Sequence, residues 1–539
     1  MAPVPVESQT MRPGYHLDDF TPAERSLLER HCTSVEGPVF ALVNLPQATS
    51  AALFARYSRS PKSLRRLLID EFAGELDAAG AAGHAGSRLG EARASDLFSR
   101  VLSDYGDESV AQLAGVHLAC EQVSQPLAKA IEWGRLAAYL EQSTRYIPYG
   151  DRRRGRFRYH LDPELDASDL GPLYRDTMDS LFQTYVDCLA PVRAHLDATL
   201  APEPDEPARN RAIRALALDI CRALLPAGTV SNLGVFASPQ AFEQLVLRLR
   251  AHPLPEAQAY AELIATELFK VIPDFLTRLD RPERGGVWAA YLRETAAALD
   301  EVASSLVPPA PRPEEESVRL VRWDVDGEER IIAAALHPHT DRPEDEVLAA
   351  VRALSLAERA RIFEAATGER LNRRHRPGRG FEHCEYSFEV VSDYGAFRDL
   401  QRHRLLTVQW QPLTTALGAA VPEEVDAAGC GQAWRTAVAA AERAAERIGA
   451  RFPEQAGYCV TLGHRLRYQL RLNAREAIHL IELRTSPQGH PSYRRLCIDM
   501  HTEIRDVAGH SLIAEAMRFV GSDDVHLPRY AAEAARSGA

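Results

Sequence analysis

Side chains that could bind an anion or a nucleotide are concentrated in three short segments of this 539-residue chain. The segment QRHRLLTVQWQPLTT (401–415) opens with two arginines around one histidine. EQSTRY (141–146) contributes carboxylate, hydroxyl and guanidinium groups, and NAREAIHLIELR (473–484) contributes a histidine between two arginines. Because arginine presents a planar fork of donors that matches phosphate oxygens, these residues indicate an anion site. The first segment alone is also compatible with stacking on an aromatic ligand or with a solvated helix face.

The composition is that of a globular, acidic protein. Charged residues make up 26% and apolar residues 45% of the chain, and the formal net charge is −12. This charge argues against general nucleic-acid binding, although the stretches Arg152–Arg158 and Arg370–Arg379 are basic. Each stretch is interpreted as a loop that neutralises phosphate groups or is simply solvated. Nucleic acid is therefore not expected among the partners.

The sequence indicates a reducing, cytoplasmic setting. Eight cysteines are scattered at positions 32, 120, 188, 221, 384, 430, 459 and 497 without a CxxC pair, which argues against a zinc ribbon and against a disulfide scaffold. The N-terminal stretch lacks a basic-then-apolar signal pattern, and no run approaches the roughly 18 apolar residues of a membrane span. No set of carboxylates and histidines has metal-ligand spacing, so we expect no metal and no membrane contact.

Four segments describe the organisation along the chain. Residues 1–20 are predicted as a flexible tail, 21–306 as a helix-rich domain, 307–317 as a linker and 318–539 as a mixed α+β domain. The linker, VPPAPRPEEES, contains four prolines and three glutamates. Such a composition is typical of extended connections between domains.

Hydrophobic periodicity predicts the main elements. The segments with helical spacing of apolar residues are Leu113–Tyr146, Leu173–Leu200 and Arg211–Leu225. Alternation predicts a half-exposed strand in 381–393, followed by a helix over 394–410. Residues 317–336 are predicted as two strands, or as a strand and a helix, around an Asp-Gly turn. Residues 457–473 are predicted as a strand or a helix.

The two parts of the chain show a weak internal repeat. EWGRLAAYLEQSTRY (132–146) aligns without a gap with residues 401–415, and the identities are Arg135/Arg404, Leu136/Leu405 and Gln142/Gln411. Both windows are predicted as helices, and each follows a Tyr-Gly pair, although at different distances. A repeat of this kind predicts two structurally related halves.

These segments resemble the signature RHRxxSxNExSxRY of the flavin-dependent thymidylate synthases, the ThyX family. RHRLLT (402–407) matches its opening, with Thr407 in place of serine, and EQSTRY matches its ending. NAREAIHLIELR is similar to the family helix NxRxxxHFxxxR, and YGDES (105–109) is similar to YGHxS. The resemblance covers scattered blocks across the chain, and its signature is split between the two halves.

Besides Thr407, further positions depart from the family pattern. Asp399 stands where the family has a glutamine, three residues before the first arginine of the signature. Gly457 stands where it has a nucleotide-binding arginine, which Arg222 retains in the first half, and Asp107 replaces a histidine. A carboxylate beside a nucleotide phosphate is unfavourable unless a cation accompanies it, so Asp399 suggests a changed substrate.

The resemblance implies an α+β fold of two tandem ThyX-like domains, each a mixed sheet packed with long helices and related by a pseudo-twofold axis. It implies transfer of a one-carbon unit from methylenetetrahydrofolate to C5 of a uridine nucleotide such as dUMP, with FAD as hydride carrier and NADPH as reductant. Family members form homotetramers with sites between subunits, so a homodimer of this fused chain would form a pseudo-tetramer. The alternative is a non-catalytic flavin- or nucleotide-binding paralogue with a regulatory or scaffolding role.

The resemblance also assigns roles to individual residues. Arg484 is expected to be catalytic, near the pyrimidine, where it polarises the N3–C4 edge. The residues expected to bind the cofactor are Ser109, Glu141, Arg402, His403, Arg404, Asn473, Arg475 and His479. Those expected to bind the substrate are Gln142, Ser143, Arg145, Arg222, Arg402 and Arg484. One complete site would combine residues 402–404 of the second half with residues 141–145 of the first, while the reciprocal site has decayed.

Overall fold

The structure is a computed structural model that describes residues 15–45, 47–57, 59–72, 114–145, 147–307, 314–522 and 530. Its strands are β1 (Val39–Leu42), β2 (Val116–Val123), β3 (Ala137–Glu141), β4 (Ser231–Ala237), β5 (Ser317–Trp323), β6 (Glu385–Asp393), β7 (Thr407–Trp410) and β8 (Arg465–Asn473). Its α-helices are Pro22–His31, Gln47–Tyr57, Leu64–Leu67, Gln125–Ile131, Pro163–Ala167, Gly171–Thr199, Glu206–Cys221, Pro239–Ala251, Pro255–Phe269, Val287–Leu306, Gly327–Leu336, Glu344–Ala353, Leu356–Thr367, Tyr394–Leu400, Glu423–Ala427, Gly431–Gly449, Pro453–Ala456, Ala474–Arg484, Pro491–Asp506 and Ser511–Ala516. None of the helices within these described ranges is long and apolar enough to cross a membrane.

The chain divides into two compact units, and each contains a four-stranded antiparallel sheet. The first, the β1–β4 unit, comprises Met1–Gln183, Pro226–Ala310 and Ala439–Val460, and the second, the β5–β8 unit, comprises Thr184–Leu225, Pro311–Val438 and Thr461–Ala539. The strand orders are β1-β2-β4-β3 and β5-β6-β8-β7. Each unit therefore includes a segment from the other half of the sequence. The combination of helices with two antiparallel sheets confirms the predicted α+β class.

The two sheets also agree in register along their β3 and β7 edges. Glu141 of β3 pairs with Leu233 of β4. Trp410 of β7, which the ungapped alignment places opposite Glu141, pairs with Tyr468 of β8. The pairing runs antiparallel along both edges. The shared strand order and register are those expected of two copies of one fold.

Two of the predicted helices are wrong. The segment 113–146 contains β2, the Gln125–Ile131 helix and β3, and the segment 394–410 contains the Tyr394–Leu400 helix followed by β7. Each repeat window therefore contains a short strand and does not form one continuous helix. Helical spacing was misleading here because each element described in these segments is too short for its own period to dominate the pattern.

Longer or more strongly alternating elements are confirmed. Residues 317–336 form a strand and a helix rather than two strands, and residues 457–473 end in a strand. The confirmed elements are the Gly171–Thr199 and Glu206–Cys221 helices, β6 within 381–393, β5 with the Gly327–Leu336 helix, and β8.

β8 leads directly into the Ala474–Arg484 helix, which carries several predicted site residues. Successive strand residues face opposite sides of a sheet, and the side chains that β8 buries are Leu466, Tyr468, Leu470 and Leu472. At the junction, the side chain of Asn473 accepts a hydrogen bond from the backbone N–H of Glu476 at 2.9 Å. This contact caps the first turn, so the helix begins at a fixed point beside the sheet.

The far end of this helix is held by a buried ion pair. The guanidinium of Arg370 donates to the two carboxylate oxygens of Glu482 at 2.8 and 2.5 Å, and it also donates to the carbonyl oxygen of Ala516 at 2.7 Å. Both charged side chains are almost fully buried. Because hydrogen bonds replace the lost hydration, the pair fixes the Ala474–Arg484 helix against the segment that carries Arg370.

Removing one partner of this pair should strongly destabilise the β5–β8 unit. Glu482→Ala leaves the charge of Arg370 buried without its carboxylate, and we expect the free energy of unfolding to fall by about 3–5 kcal/mol, measured by urea denaturation. The control, Asp426→Ala, removes the exposed ion pair with Arg435 and should cause no resolvable change. Equal effects of the two substitutions would contradict a structural role for the buried pair.

Candidate functional site

The triplet 402–404 lies on a turn between the Tyr394–Leu400 helix and β7. The side chain of His403 is buried, whereas those of Arg402 and Arg404 are exposed. The turn therefore places the imidazole ring inside the protein and the two permanent charges at its surface. The alternative of a solvated helix face is wrong, because the helix ends before the triplet begins.

A chain of hydrogen bonds runs from Arg484 through His403 to Glu476 and His479. Nε of Arg484 donates to Nε2 of His403 at 3.0 Å, and Nδ1 of His403 lies 2.8 Å from Oε1 of Glu476. Nδ1 of His479 lies 3.3 Å from both carboxylate oxygens of Glu476. All members except His403 belong to the Ala474–Arg484 helix, so the chain joins the turn to that helix.

Burial and neighbouring groups keep this chain in one protonation state. Burial lowers the pKa of His403 to about 4 despite its hydrogen bond to Glu476, and the charge of Arg484 acts in the same direction as burial. Burial alone would raise the pKa of Glu476, but hydrogen bonds from His403 and His479 lower it to about 2. At neutral pH the ring of His403 is therefore neutral and Glu476 is ionised.

Asp399 lies among three arginines, and these four residues are called the Asp399 cluster. Its carboxylate oxygens are 3.9 Å from Nη2 of Arg222, 3.8 Å from Nη1 of Arg402 and 3.7 Å from Nη1 of Arg484. Only 14% of the Asp399 side chain is exposed. Charges this close interact strongly when partly buried, so the carboxylate offsets the mutual repulsion of the arginines. The three arginines therefore supply the cations that make a carboxylate at position 399 favourable.

A cavity of about 720 Å³ borders Arg222 in the β5–β8 unit. Its lining mixes cationic and acidic side chains, among them Arg465, Arg495 and Asp393. The volume lies within the range of small-molecule sites in proteins. Of the residues described as lining the cavity, Arg222 also belongs to the Asp399 cluster. The cavity therefore lies next to the cluster on the side of Arg222.

The side chains of His403, Glu476 and His479 bring possible metal ligands within 4.8 Å of one another. A metal on Nδ1 of His403 requires that nitrogen to be deprotonated. The ring proton would then lie on Nε2, where Arg484 already donates, and two donors would face each other. The hydrogen-bonded arrangement does not fit a metal ion, and the expectation of no metal stays a prediction.

The remaining predicted residues of the Ala474–Arg484 segment make both structural and surface contacts. Asn473 caps the helix. Nε of Arg475 donates to the carbonyl oxygen of Pro377 at 2.8 Å, and its Nη1 lies 3.4 Å from Glu382. The rings of His479 and His403 lie 5.2 Å apart. The structure therefore brings the second-half residues together in one unit.

The first-half residues at the end of β3 lie in the β1–β4 unit. Nζ of Lys129 is 3.1 Å from Glu141 and also contacts Glu132, and all three side chains are buried. The side-chain amide of Gln142 donates to the carbonyl oxygen of Ser60 at 2.5 Å. The carboxylate of Glu141 thus lies in a buried ion-pair network, and the amide of Gln142 holds neighbouring backbone.

Ser143 and Arg145 follow on a turn and are partly buried. The hydroxyl of Ser143 accepts a hydrogen bond from the backbone N–H of Arg145 at 3.2 Å. Arg222, although in the first half of the sequence, belongs to the β5–β8 unit. Ser109 lies outside the described residues.

Two residues of the site have no counterpart in the sequence prediction. Glu476 precedes His479 by three residues on the same helix. Because residues three apart are neighbours on a helix surface, this spacing could have predicted their contact. The ring of Tyr493 lies 5.5 Å from the guanidinium carbon of Arg484, within the range of a cation–π contact. Tyr493 comes from the next helix, Pro491–Asp506, and no sequence pattern connects it to Arg484.

One family model matches the chain in two segments. The family is described as "Thymidylate synthase complementing protein" (Thy1), and the matched residues are 46–274 and 319–509. The two segments contain β2, β3 and β4 in the first case and β6, β7 and β8 in the second. Every residue that the sequence assigned to the site lies within them.

Relatives match over almost their whole length. A UPF0159 protein of Chlamydia muridarum is 36% identical over 96% of this chain and 98% of its own. A UPF0159 protein of Thermoplasma acidophilum is 30% identical over 89% of this chain and 97% of its own. Among solved structures, a UMP/dUMP methylase PolB from Streptomyces cacaoi, bound with 5-Br dUMP, aligns with a TM-score of 0.30 and 16% identity, over 39% of this chain and 98% of that chain.

Removing the negative charge from the Asp399 cluster should tighten anion binding. In Asp399→Asn the three arginines are no longer offset by a carboxylate, so we expect inorganic phosphate to bind about tenfold more tightly at low ionic strength, measured by calorimetry. The control is Asp426→Asn, which neutralises an exposed carboxylate and should leave the affinity unchanged. Unchanged or weaker phosphate binding by Asp399→Asn would show that the carboxylate does not screen these arginines.

Acid should destabilise the protein through His403. Its pKa is lowered to about 4 from the ordinary 6.5, so between these values the unfolded chain binds more protons than the folded one. Stability is therefore present above pH 6.5 and lost as the pH falls toward 4. We expect this residue to account for a loss of about 2 kcal/mol between pH 7 and pH 5.

Urea denaturation at the two pH values measures this contribution. His403→Gln should lose less stability between pH 7 and pH 5 than the wild-type protein does, by about that amount. The lowered pKa of Glu476 acts in the same direction but below its ordinary value of 4.5. Equal losses in the wild-type protein and in His403→Gln would rule out the buried, neutral ring as the cause.

Proposed function

Because the chain belongs to the thymidylate synthase complementing protein family, the ThyX family, we propose that it is a flavin-dependent enzyme that transfers a one-carbon unit to C5 of a uridine nucleotide such as dUMP. Methylenetetrahydrofolate is the proposed donor of that unit, and NADPH is the proposed reductant. The match of the family model to two segments of the chain supports a thymidylate synthase-like protein.

The Asp399 cluster is the observation that carries this proposal. Arg222, Arg402 and Arg484 supply three positive charges and Asp399 one negative charge, so the cluster has a net charge of 3 − 1 = +2. A nucleoside monophosphate carries a dianionic phosphate, which such a cluster complements. Arginine forks also give the geometric match to phosphate that a point charge lacks. The cavity beside Arg222 provides room for a ligand of this size.

Arg484 is proposed as the catalytic residue that polarises the pyrimidine. Its guanidinium is held by Nε2 of His403 at 3.0 Å, by Asp399 at 3.7 Å and by the ring of Tyr493 at 5.5 Å. A cation fixed in this way can stabilise negative charge on the pyrimidine without reorganising during the reaction. Gln142, Ser143 and Arg145 are proposed to add contacts to the nucleotide.

The exposed side of the triplet fits a flavin dinucleotide. FAD carries a negatively charged pyrophosphate, and Arg402 and Arg404 are exposed while Arg475 and His479 are partly exposed. These donors would hold the cofactor, with Asn473 fixing the helix from which Arg475 and His479 project. Ser109 and Glu141 complete the proposed cofactor set. When bound, the flavin supplies the hydride that this transfer requires.

We assign the active site to both halves of a duplicated sequence. The shared strand order of the two sheets supports a tandem duplication. Arg222 of the first half lies in one unit with Arg402 of the second, which supports a composite site. Residues 141–145 of the first half are proposed to complete it, and the reciprocal site is proposed to be inactive. A homodimer would then have the pseudo-tetrameric arrangement of the family.

A non-catalytic flavin- or nucleotide-binding protein is the second candidate. Asp399 replaces a glutamine of the family pattern, and Gly457 removes an arginine from the second half. Glu141 is also held by a buried lysine, Lys129. A regulatory or scaffolding paralogue would retain ligand binding through the arginines and form no product.

Purified protein should show the visible absorption of a bound flavin, and mass spectrometry of the released cofactor should identify FAD. With dUMP, methylenetetrahydrofolate and NADPH, the wild-type protein should form dTMP. Arg402→Ala and Ser143→Ala, which lie in different halves, should each lower turnover about 100-fold or more, because each removes a donor from the site.

The control variant is Arg435→Ala, which alters an exposed arginine paired with Asp426 and should keep wild-type turnover. Undiminished turnover in Arg402→Ala or Ser143→Ala would contradict the composite site. Bound flavin without product from any uridine nucleotide would favour the non-catalytic paralogue. A colourless protein that binds no nucleotide would contradict both candidates.

A further inference from the structure

We infer that Glu476 is a positioning residue, which holds the ring of His403 in the tautomer protonated at Nδ1, so that Nε2 accepts from Arg484 and fixes the direction of its guanidinium. The inference rests on the proposed function for the role of Arg484. The tautomer itself is a property of the protein without ligands. Glu476 therefore acts on the reaction through two other side chains rather than by touching the substrate.

The donors of the hydrogen-bond chain leave one tautomer for His403. Nε of an arginine carries a hydrogen and cannot accept one, so its 3.0 Å contact makes Nε2 of His403 the acceptor. A neutral imidazole has one donor and one acceptor nitrogen. Nδ1 therefore carries the proton and donates it to Oε1 of Glu476 at 2.8 Å.

Glu476 is placed so that it acts as an acceptor. Its side chain is 3% exposed, and it receives a second hydrogen bond from Nδ1 of His479 at 3.3 Å. It lies in the first turn of the Ala474–Arg484 helix, where the helix dipole favours a negative charge. A buried carboxylate surrounded by donors stays ionised. An ionised carboxylate has no proton to donate, so it excludes the tautomer in which Nδ1 accepts.

The excluded tautomer would release Arg484. With the proton on Nε2, two N–H groups would face each other across 3.0 Å, and the hydrogen bond between His403 and Arg484 would be lost. The contacts of Arg484 with Asp399 at 3.7 Å and with the ring of Tyr493 at 5.5 Å are longer than a hydrogen bond. They hold the charge in the site but direct its N–H groups less sharply.

Nitrogen-15 NMR of histidine-labelled protein tests the tautomer without any ligand. The signals of His403, assigned by their loss in His403→Asn, should show a protonated Nδ1 and an unprotonated Nε2 at neutral pH. His464 is an internal reference for the opposite tautomer, because its Nδ1 accepts from the backbone N–H of Thr461 at 3.0 Å. In Glu476→Gln, whose amide can donate as well as accept, the signals of His403 should shift toward a mixture while those of His464 stay unchanged.

Turnover by the same variants tests the positioning role. Glu476→Gln should lower kcat about tenfold or more with a smaller change in KM, because the direction of Arg484 matters most when charge develops on the pyrimidine. Glu476→Asp keeps the ionised acceptor and should restore the Nδ1 tautomer and part of kcat. A thermal unfolding curve close to that of the wild-type protein shows that the Gln variant is folded.

A wild-type spectrum with His403 protonated at Nε2 would overturn the inference, as would an unchanged His403 spectrum in Glu476→Gln. A wild-type kcat in Glu476→Gln would overturn the positioning role. If the wild-type protein shows the expected tautomer and the expected response to Glu476→Gln but forms no product, the proposed function fails and the link between Glu476 and the His403 tautomer stands.

Discussion

Three arginines that share a partly buried volume repel one another, and a neighbouring negative charge offsets that repulsion. Near a protein surface, two like charges 4 Å apart would repel by about 4 kcal/mol, and the repulsion falls as their separation increases. Asp399 lies 3.7 to 3.9 Å from Arg222, Arg402 and Arg484 and offsets this repulsion. In the protein without ligands, this carboxylate therefore lowers the electrostatic cost of holding the three guanidinium groups near one another.

This constraint connects the fold to the chemistry of the site. The neutral glutamine that the family resemblance places at this position would leave a charge of +3, whereas Asp399 leaves +2. A charge of +2 equals in magnitude that of the phosphate dianion in the proposed substrate. The same arrangement directs Arg484, whose other contacts are His403 and Tyr493. The guanidinium of Arg484 thus takes part in the packing of the site, in its charge balance and in the proposed catalysis.

Secondary-structure elements long enough to show several repeats of their hydrophobic pattern were predicted correctly from the sequence. The Gly171–Thr199 helix spans 29 residues and β6 alternates over nine, and both are confirmed. The segments 113–146 and 394–410 failed because a short helix, a turn and a short strand follow one another within each. Mixed periods average to a false helical pattern. The family resemblance was unaffected, because it rests on residue types at fixed spacing rather than on secondary structure.

Site residues that lie close together in the sequence could likewise be predicted. Contacts that depend on long-range packing could not. His479 and Arg484 lie in one helix, and the family resemblance singled out both from one continuous segment. The proximity of Arg222 to Asp399 joins residues far apart in the chain, so no local pattern encodes it. The acceptor role of Glu476 depends on the orientation of a ring from another segment. Sequence reasoning could thus mark Asp399 as anomalous but could not identify the cations that compensate it.

Binding of dUMP, measured by calorimetry, tests most directly whether arginines from both halves serve one nucleotide. Arg222→Ala removes the first-half member of the Asp399 cluster, and Arg435→Ala removes an exposed arginine of the same unit as a control. The account predicts that Arg222→Ala weakens dUMP binding about tenfold or more, while Arg435→Ala binds as the wild-type protein does. Wild-type affinity in Arg222→Ala would contradict the account, because the arginine that the first half contributes to the Asp399 cluster would then have no part in nucleotide recognition.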